Sequence, residues 1–172
     1  MLFSKQSDYF TLGGNSQAMR IEYLADHEEL VPELANWHFA EWSFLQPNET
    51  LEGRTLRLRR CCGHNEIPTV VIGLLGNELC GSGMLVANDM DSRPKLTPWL
   101  AGLYVAPAHR RKGYGTKLIE RIVQEAAALQ AQVLYLYTPS SEQYYSSRGW
   151  SVMERCKYRG ADVSIMSRSV AA

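Results

Sequence analysis

The sequence predicts an α+β fold built on a mixed, mostly antiparallel sheet of about six to seven strands flanked by about four helices. Three observations carry this reading. Strand-like runs joined by a Gly76-Asn77 turn come early in the chain. A strand, an amphipathic helix and a second, wholly apolar strand follow in the middle, as a parallel crossover requires. A final hairpin is centred on Arg159-Gly160.

The elements follow in order. Met19–Leu24 alternates like an edge strand. Asp26 is placed to cap a helix running to about Trp42, with Leu30, Leu34, Trp37 and Phe39 among its apolar positions. Pro47-Asn48 breaks it. A second helix is expected from Thr50 to about Cys62, with Leu51, Thr55, Leu58 and Cys62 on one face. Its other face carries Arg54, Arg57 and Arg60 and reads as a solvated surface rather than a nucleic-acid face. Ile67–Leu75 and Glu78–Ala87 are strands, and Asn88–Pro98 is a polar loop. Trp99–Val105 is an apolar, aromatic-rich strand. Leu118, Ile119, Ile122, Val123 and Ala126 form the apolar stripe of the next helix. Val133–Tyr137 is apolar throughout, as a buried parallel strand would be. Glu142–Ser147 is a short helix, and Trp150–Lys157 pairs with Asp162–Met166.

A chain of 172 residues is long enough for one domain with a real core, expected here over residues 19–170. Residues 1–18 read as a polar, turn-rich extension without an apolar run of signal-peptide or membrane length. Lys plus Arg balances Asp plus Glu at 18 each, which argues against a generic nucleic-acid or membrane-surface binder. The four cysteines, Cys61, Cys62, Cys80 and Cys156, show no metal spacing and no Cys-x-x-Cys pair. Reduced thiols in a cytoplasm, and no metal, are expected.

The most informative stretch is Val105 to Lys117. Strand, basic loop (Arg110, Arg111, Lys112), glycine turn (Gly113, Gly115) and helix follow one another. Glycines let a ligand approach the peptide N–H groups, and a helix start offers unpaired donors and a positive dipole end. This is an anion site suited to a pyrophosphate. The Gly-Lys-Ser/Thr nucleotide loop is absent. The dinucleotide fingerprint fails too, because Leu118 holds its third glycine position and no acid follows in Val133–Tyr137.

The stretch resembles the cofactor loop of the GNAT superfamily of acetyl-CoA-dependent N-acetyltransferases. Their pattern is Arg/Gln-x-x-Gly-x-Gly/Ala after a strand ending in Val. Arg110, Gly113 and Gly115 match it, with Val105 and Pro107 correctly placed ahead. The order of elements also agrees over nearly all of residues 19–168.

The resemblance implies that acetyl-CoA is held by Arg110, Arg111, Lys112, Gly113, Tyr114, Gly115 and Thr116, and by main-chain groups of Leu103, Tyr104 and Val105. It implies direct attack by an amine on the bound thioester, and no nucleophile motif suggests a covalent route. Tyr145, four residues before Gly149-Trp150, takes the place of the family's proton donor to the leaving thiolate, with Tyr144 in a packing position. Many members carry a glutamate on the strand before the loop, whereas Pro98–Val105 contains no carboxylate. The base is therefore left open among His38, Glu41, Asp89, Asp91 and water. Trp37, Trp42 and Trp99 are candidate aromatic walls of the acceptor cleft, and Asp89 and Asp91 candidate attractors of a cationic amine. The expected partner is a small-molecule or peptide amine, with a homodimer left open. A non-catalytic acyl-CoA-binding sensor remains the alternative. It would bind the cofactor without turning it over.

Overall fold

The computed structural model describes residues 18–170. The expected leading extension, apart from Ala18, lies outside the described residues. The chain runs β1 (Arg20–Tyr23), α1 (Val31–Trp42), α2 (Leu51–Arg60), β2 (Thr69–Leu75), β3 (Glu78–Val86), β4 (Trp99–Val105), α3 (Tyr114–Ala128), β5 (Val133–Thr138), α4 (Glu142–Ser146), β6 (Ser151–Tyr158) and β7 (Ala161–Ser169). The seven strands form one sheet in the order β1-β2-β3-β4-β5-β7-β6. Only β4 and β5 pair in parallel. The predicted α+β class and mixed sheet are what the molecule adopts.

The alternation of the strands decides which helix packs on which face. Val71, Leu85, Leu100, Leu134 and Leu136 join the apolar stripe of α3, namely Leu118, Ile119, Ile122 and Ala126. Val70, Ile72, Leu74 and Met84 point the other way, to Val31, Leu34 and Ala35 of α1 and Leu58 of α2. A third cluster of Met90, Trp99, Tyr158, Val163 and Ile165 closes the β5–β7 end. At about 1.5–3 kcal/mol per fully buried large apolar side chain, these clusters supply the driving force of the fold. In the last hairpin, Arg159 and Gly160 both take positive φ (48° and 83°), the twist a two-residue connection needs.

Three expectations are corrected. The first helix begins at Val31, not after Asp26. Two 3-10 turns, Leu24–Asp26 and Glu28–Leu30, come first, and Pro32 sits in the opening turn of α1, where its missing N–H costs nothing. Asp26 instead pairs with His64 at 2.8 Å. Strand β2 begins at Thr69 rather than Ile67, because Pro68 has no N–H for the ladder. Helix α2 is capped by Thr50, whose hydroxyl accepts from the Gly53 amide at 3.0 Å, and Arg57 and Arg60 are exposed as expected, but two of its positions depart from the expected faces: Arg54 turns inward and Leu51 outward. Arg54 and Leu58 are buried, and Leu51 is exposed.

Candidate active site

The site starts from an irregularity in β4. Ser82 opposes Tyr104, yet Met84 opposes Ala101, so β4 bulges between them. Gly102 sits in the bulge with φ +54°, and a Cβ there would come within 2.6 Å of the Met84 sulfur. The Ser82 hydroxyl donates to the Gly102 carbonyl at 2.9 Å. That bond uses its single proton, so His38 Nε2–H donates to Ser82 Oγ, at 2.9 Å. Burial holds the His38 pKa down at about 3, with Arg54 adding to the shift. His38 is thus a neutral strut under the bulge.

On its other edge β4 pairs with β5 only at Trp99 and Tyr135. Beyond that point the strands part, and the backbone of Leu103, Tyr104 and Val105 has no strand partner on that side among the described residues. Apart from the Val105 carbonyl, which accepts from Arg110, backbone groups on this edge of the groove are available to a ligand.

The chain then enters the basic loop. Gly113 caps α3 with φ +79°, and nothing lies within 4 Å of the place a Cβ would occupy. Among the described residues, no acceptor takes the main-chain amides of residues 111–116. Arg110 braces the loop by donating from Nε to the Val105 carbonyl at 2.8 Å, and its guanidinium lies 5.6 Å from the centre of the Tyr104 ring. Lys112 bonds back to the Ala108 carbonyl at 3.1 Å. Free amides, a helix start and tied-down cations make an anion cradle.

Arg148 joins α4 to this cradle. Its Nε donates to Thr116 Oγ1 at 2.8 Å, and its guanidinium stacks 3.7 Å from the Tyr144 ring centre. Thr116 therefore acts inside α3 as a partner of Arg148, and the cap position belongs to Gly113. Tyr144 lies against the helix start, its hydroxyl 2.6 Å from where a Gly115 Cβ would stand.

Two cavities meet here. A groove of about 530 Å³ is lined by Leu103, Tyr104, Val105, Arg110, Arg111, Gly113, Tyr114, Gly115, Thr116 and Arg148, among others. A larger cavity of about 850 Å³ lies toward α2 and the β6–β7 turn, with Trp42, Phe44, Asp89 and Tyr137 in its walls. Glu41, Leu103, Ser141 and Tyr145 line both. Burial raises the Tyr145 phenol well above its ordinary range, so it is protonated at neutral pH. Burial likewise lifts the Asp89 carboxyl to about 7, against the pull of Arg54, Arg159 and Arg57.

The structure sorts the sequence candidates. Tyr145, Glu41, Trp42 and Asp89 line the larger cavity. Trp99 does not: it is fully buried, packed among Tyr135 and Tyr137, with its indole N–H bonded to the Leu96 carbonyl. It is a core residue, because β4 turns that face inward. His38 is also fully buried and lines neither cavity. Trp37 stacks 5.4 Å from Tyr104 behind the groove wall. Sequence reading missed Arg148, Ser141, Arg54 and Arg57 as lining residues. Arg148 alone had a signal, its four-residue spacing from Tyr144 across one helical turn. Among the described residues no group of three or more His, Cys, Asp or Glu is gathered as metal ligands, and no helix is long and apolar enough to cross a membrane.

The fold is shared with solved proteins. An aminoglycoside 6'-N-acetyltransferase complexed with coenzyme A matches with a TM-score of 0.69 at 14% identity, over 89% of this chain and 98% of that one. The protein yncA of Salmonella typhimurium, solved with its cofactor acetyl-CoA, matches at 0.63 and 20% identity, over 91% and 96%. An acetyltransferase of Streptococcus pneumoniae matches at 0.65 and 16%, over 90% and 100%. No curated protein matches the chain. Residues 18–150 match the model of the acetyltransferase (GNAT) family, which spans the bulged strand, the glycine turn, α3 and Tyr145. The chain belongs to that family.

Proposed function

We propose that the chain, as one domain over residues 19–170, transfers the acetyl group of acetyl-CoA directly to a primary amine bound at the same time. The meeting of a cofactor-shaped groove and an acceptor-sized cavity at Tyr145 and Glu41 carries this reading. The groove fits coenzyme A by its chemistry. The free amides of residues 111–116 and the nearby cations suit the pyrophosphate, and the unpaired edge of Leu103–Val105 suits the amide-bearing arm. Acetyl-CoA supplies an acetyl group activated as a thioester.

The residues at the junction then divide the proton work. Glu41 takes the proton the attacking amine sheds as the N–C bond forms. Tyr145 gives its phenolic proton to the sulfur as the C–S bond breaks, and regains one from solvent. Glu41 replaces the glutamate that β4 lacks, from the end of α1 instead. The low pKa of His38 and its burial remove it from the contest for base.

The test is thiol release from acetyl-CoA with a panel of primary amines. Turnover dependent on an amine supports the reading. Tight coenzyme A binding with no turnover of any amine would leave the sensor role in its place.

A further inference from the structure

The arginine stripe of α2 is not wholly a solvated face: Arg54 is buried, while Arg57 and Arg60 are exposed. Arg54 and Arg57, one helical turn apart, line the larger cavity, and Arg159 reaches it from the β6–β7 turn. Asp89 lines the same cavity, and the charge of each of the three guanidiniums is felt at its carboxyl. Glu49 bridges Arg54 and Arg57 at 2.6 and 2.7 Å, and Asp91 pairs with Arg159 at 3.2 Å. Three guanidiniums thus stand with Glu49, Asp91 and Asp89, whose charged form burial disfavours, and Glu41 lies elsewhere in the same cavity wall. Arg54 is only 7% exposed, and its Nε has no hydrogen-bond partner among the described residues. A buried, charged donor without an acceptor is costly, and a ligand that brings an acceptor removes that cost.

We propose that the acceptor amine carries an anionic oxygen group, a carboxylate or a phosphate, which Arg54, Arg57 and Arg159 hold while the amine lies toward Glu41 and Tyr145. The proposal rests on the transferase reading and narrows its substrate class. Planar guanidinium forks match both anions in two-bond geometry. A polyamine would instead set its second ammonium among these guanidiniums. Arg54 acts from below the cavity surface and Arg57 from its rim, so an anion bound between them is oriented as well as attracted.

Matched pairs test this: L-phenylalanine against its amide, glycine against glycinamide, and phosphoethanolamine against ethanolamine. Binding to the protein loaded with coenzyme A is followed by calorimetry, and turnover with acetyl-CoA by thiol release. At least one anionic member should show KM or Kd lower than its neutral partner by about tenfold or more, the scale of one charge-assisted contact. Which pair responds separates carboxylate from phosphate. Arg57→Gln should shrink that preference, and Arg57 is exposed enough that its variant folds even if Arg54→Lys does not. The split would show in KM more than in kcat. No anionic preference in any pair, whether from equal binding or from none, overturns the proposal. Anionic binding without turnover upholds the site and sinks the transferase reading. Turnover of neutral amines without preference does the reverse.

Discussion

Tyr145 and Tyr144 are neighbours with different surroundings. Tyr144 is stacked under Arg148 and lies against Gly115, while Tyr145 lines both cavities and packs its ring edge-on to Trp150. Tyr145→Phe keeps the ring and removes the proton donor. Turnover should fall about a hundredfold, with coenzyme A affinity and thermal stability nearly unchanged. Tyr144→Phe is the control and should cost little. Equal losses in the two variants would dismiss Tyr145 as the acid. His38 makes a different prediction, through stability. Its imidazole titrates near 6.5 in the unfolded chain and near 3 in the fold. Between these values the unfolded chain binds a proton that the folded one refuses, so stability drops as pH falls below about 6.5. His38→Gln keeps a donor for Ser82 without titrating. From pH 7 to pH 5, wild type should lose about 2 kcal/mol more than His38→Gln in urea unfolding. Parallel pH profiles would show that His38 is protonated in the fold.

At the scale of elements, the turn into α3 is the feature with the sharpest consequence. Gly113 has left-handed φ and open space around its Cβ position, so Gly113→Asp meets no clash and costs roughly 1–2 kcal/mol of backbone strain. The new carboxylate stands beside amides suited to a phosphate. Coenzyme A affinity should drop about tenfold or more while the cooperative unfolding transition survives. Calorimetric titration of the folded variant checks this, and an unaltered Kd would remove the loop from the cofactor site. Much of this element was legible beforehand. Two glycines, three cations and the apolar stripe of Leu118, Ile119 and Ile122 lie within a short stretch, and local spacing is what a sequence displays best. The β4 bulge was not legible, because Gly102 needs its positive φ only when Ser82 and Met84 are paired across from it.

At the scale of the whole molecule, the proposed direct transfer predicts that no covalent enzyme intermediate forms. Cys61 and Cys80 are buried, and burial raises both thiols, as it does the half-buried Cys62. None of the four cysteines lines the groove, and only Cys61 borders the larger cavity. Incubation with acetyl-CoA alone, followed by intact mass measurement, should show no stoichiometric acetyl adduct. A rapid adduct that passes its acetyl group to an amine would overturn direct attack.

The sequence by itself determined the α+β class, the crossover and the glycine turn into α3, because each is written in local periodicity or in a short motif. Tertiary structure alone decided the rest. Trp99 and His38 carry chemistry that suits a site, yet the packing of β4 and α1 buries them and makes one core and the other a strut. Arg54 has a surface residue's composition, yet α2 turns it inward toward Asp89 and Arg159, which lie 35 and 105 positions along the chain. Glu41 becomes a junction residue only because the splay of β4 from β5 opens the groove beside the end of α1. Periodicity fixes which face of an element is apolar. Which distant charges share a cavity depends on long-range pairing and burial, and these exist only once the sheet has closed.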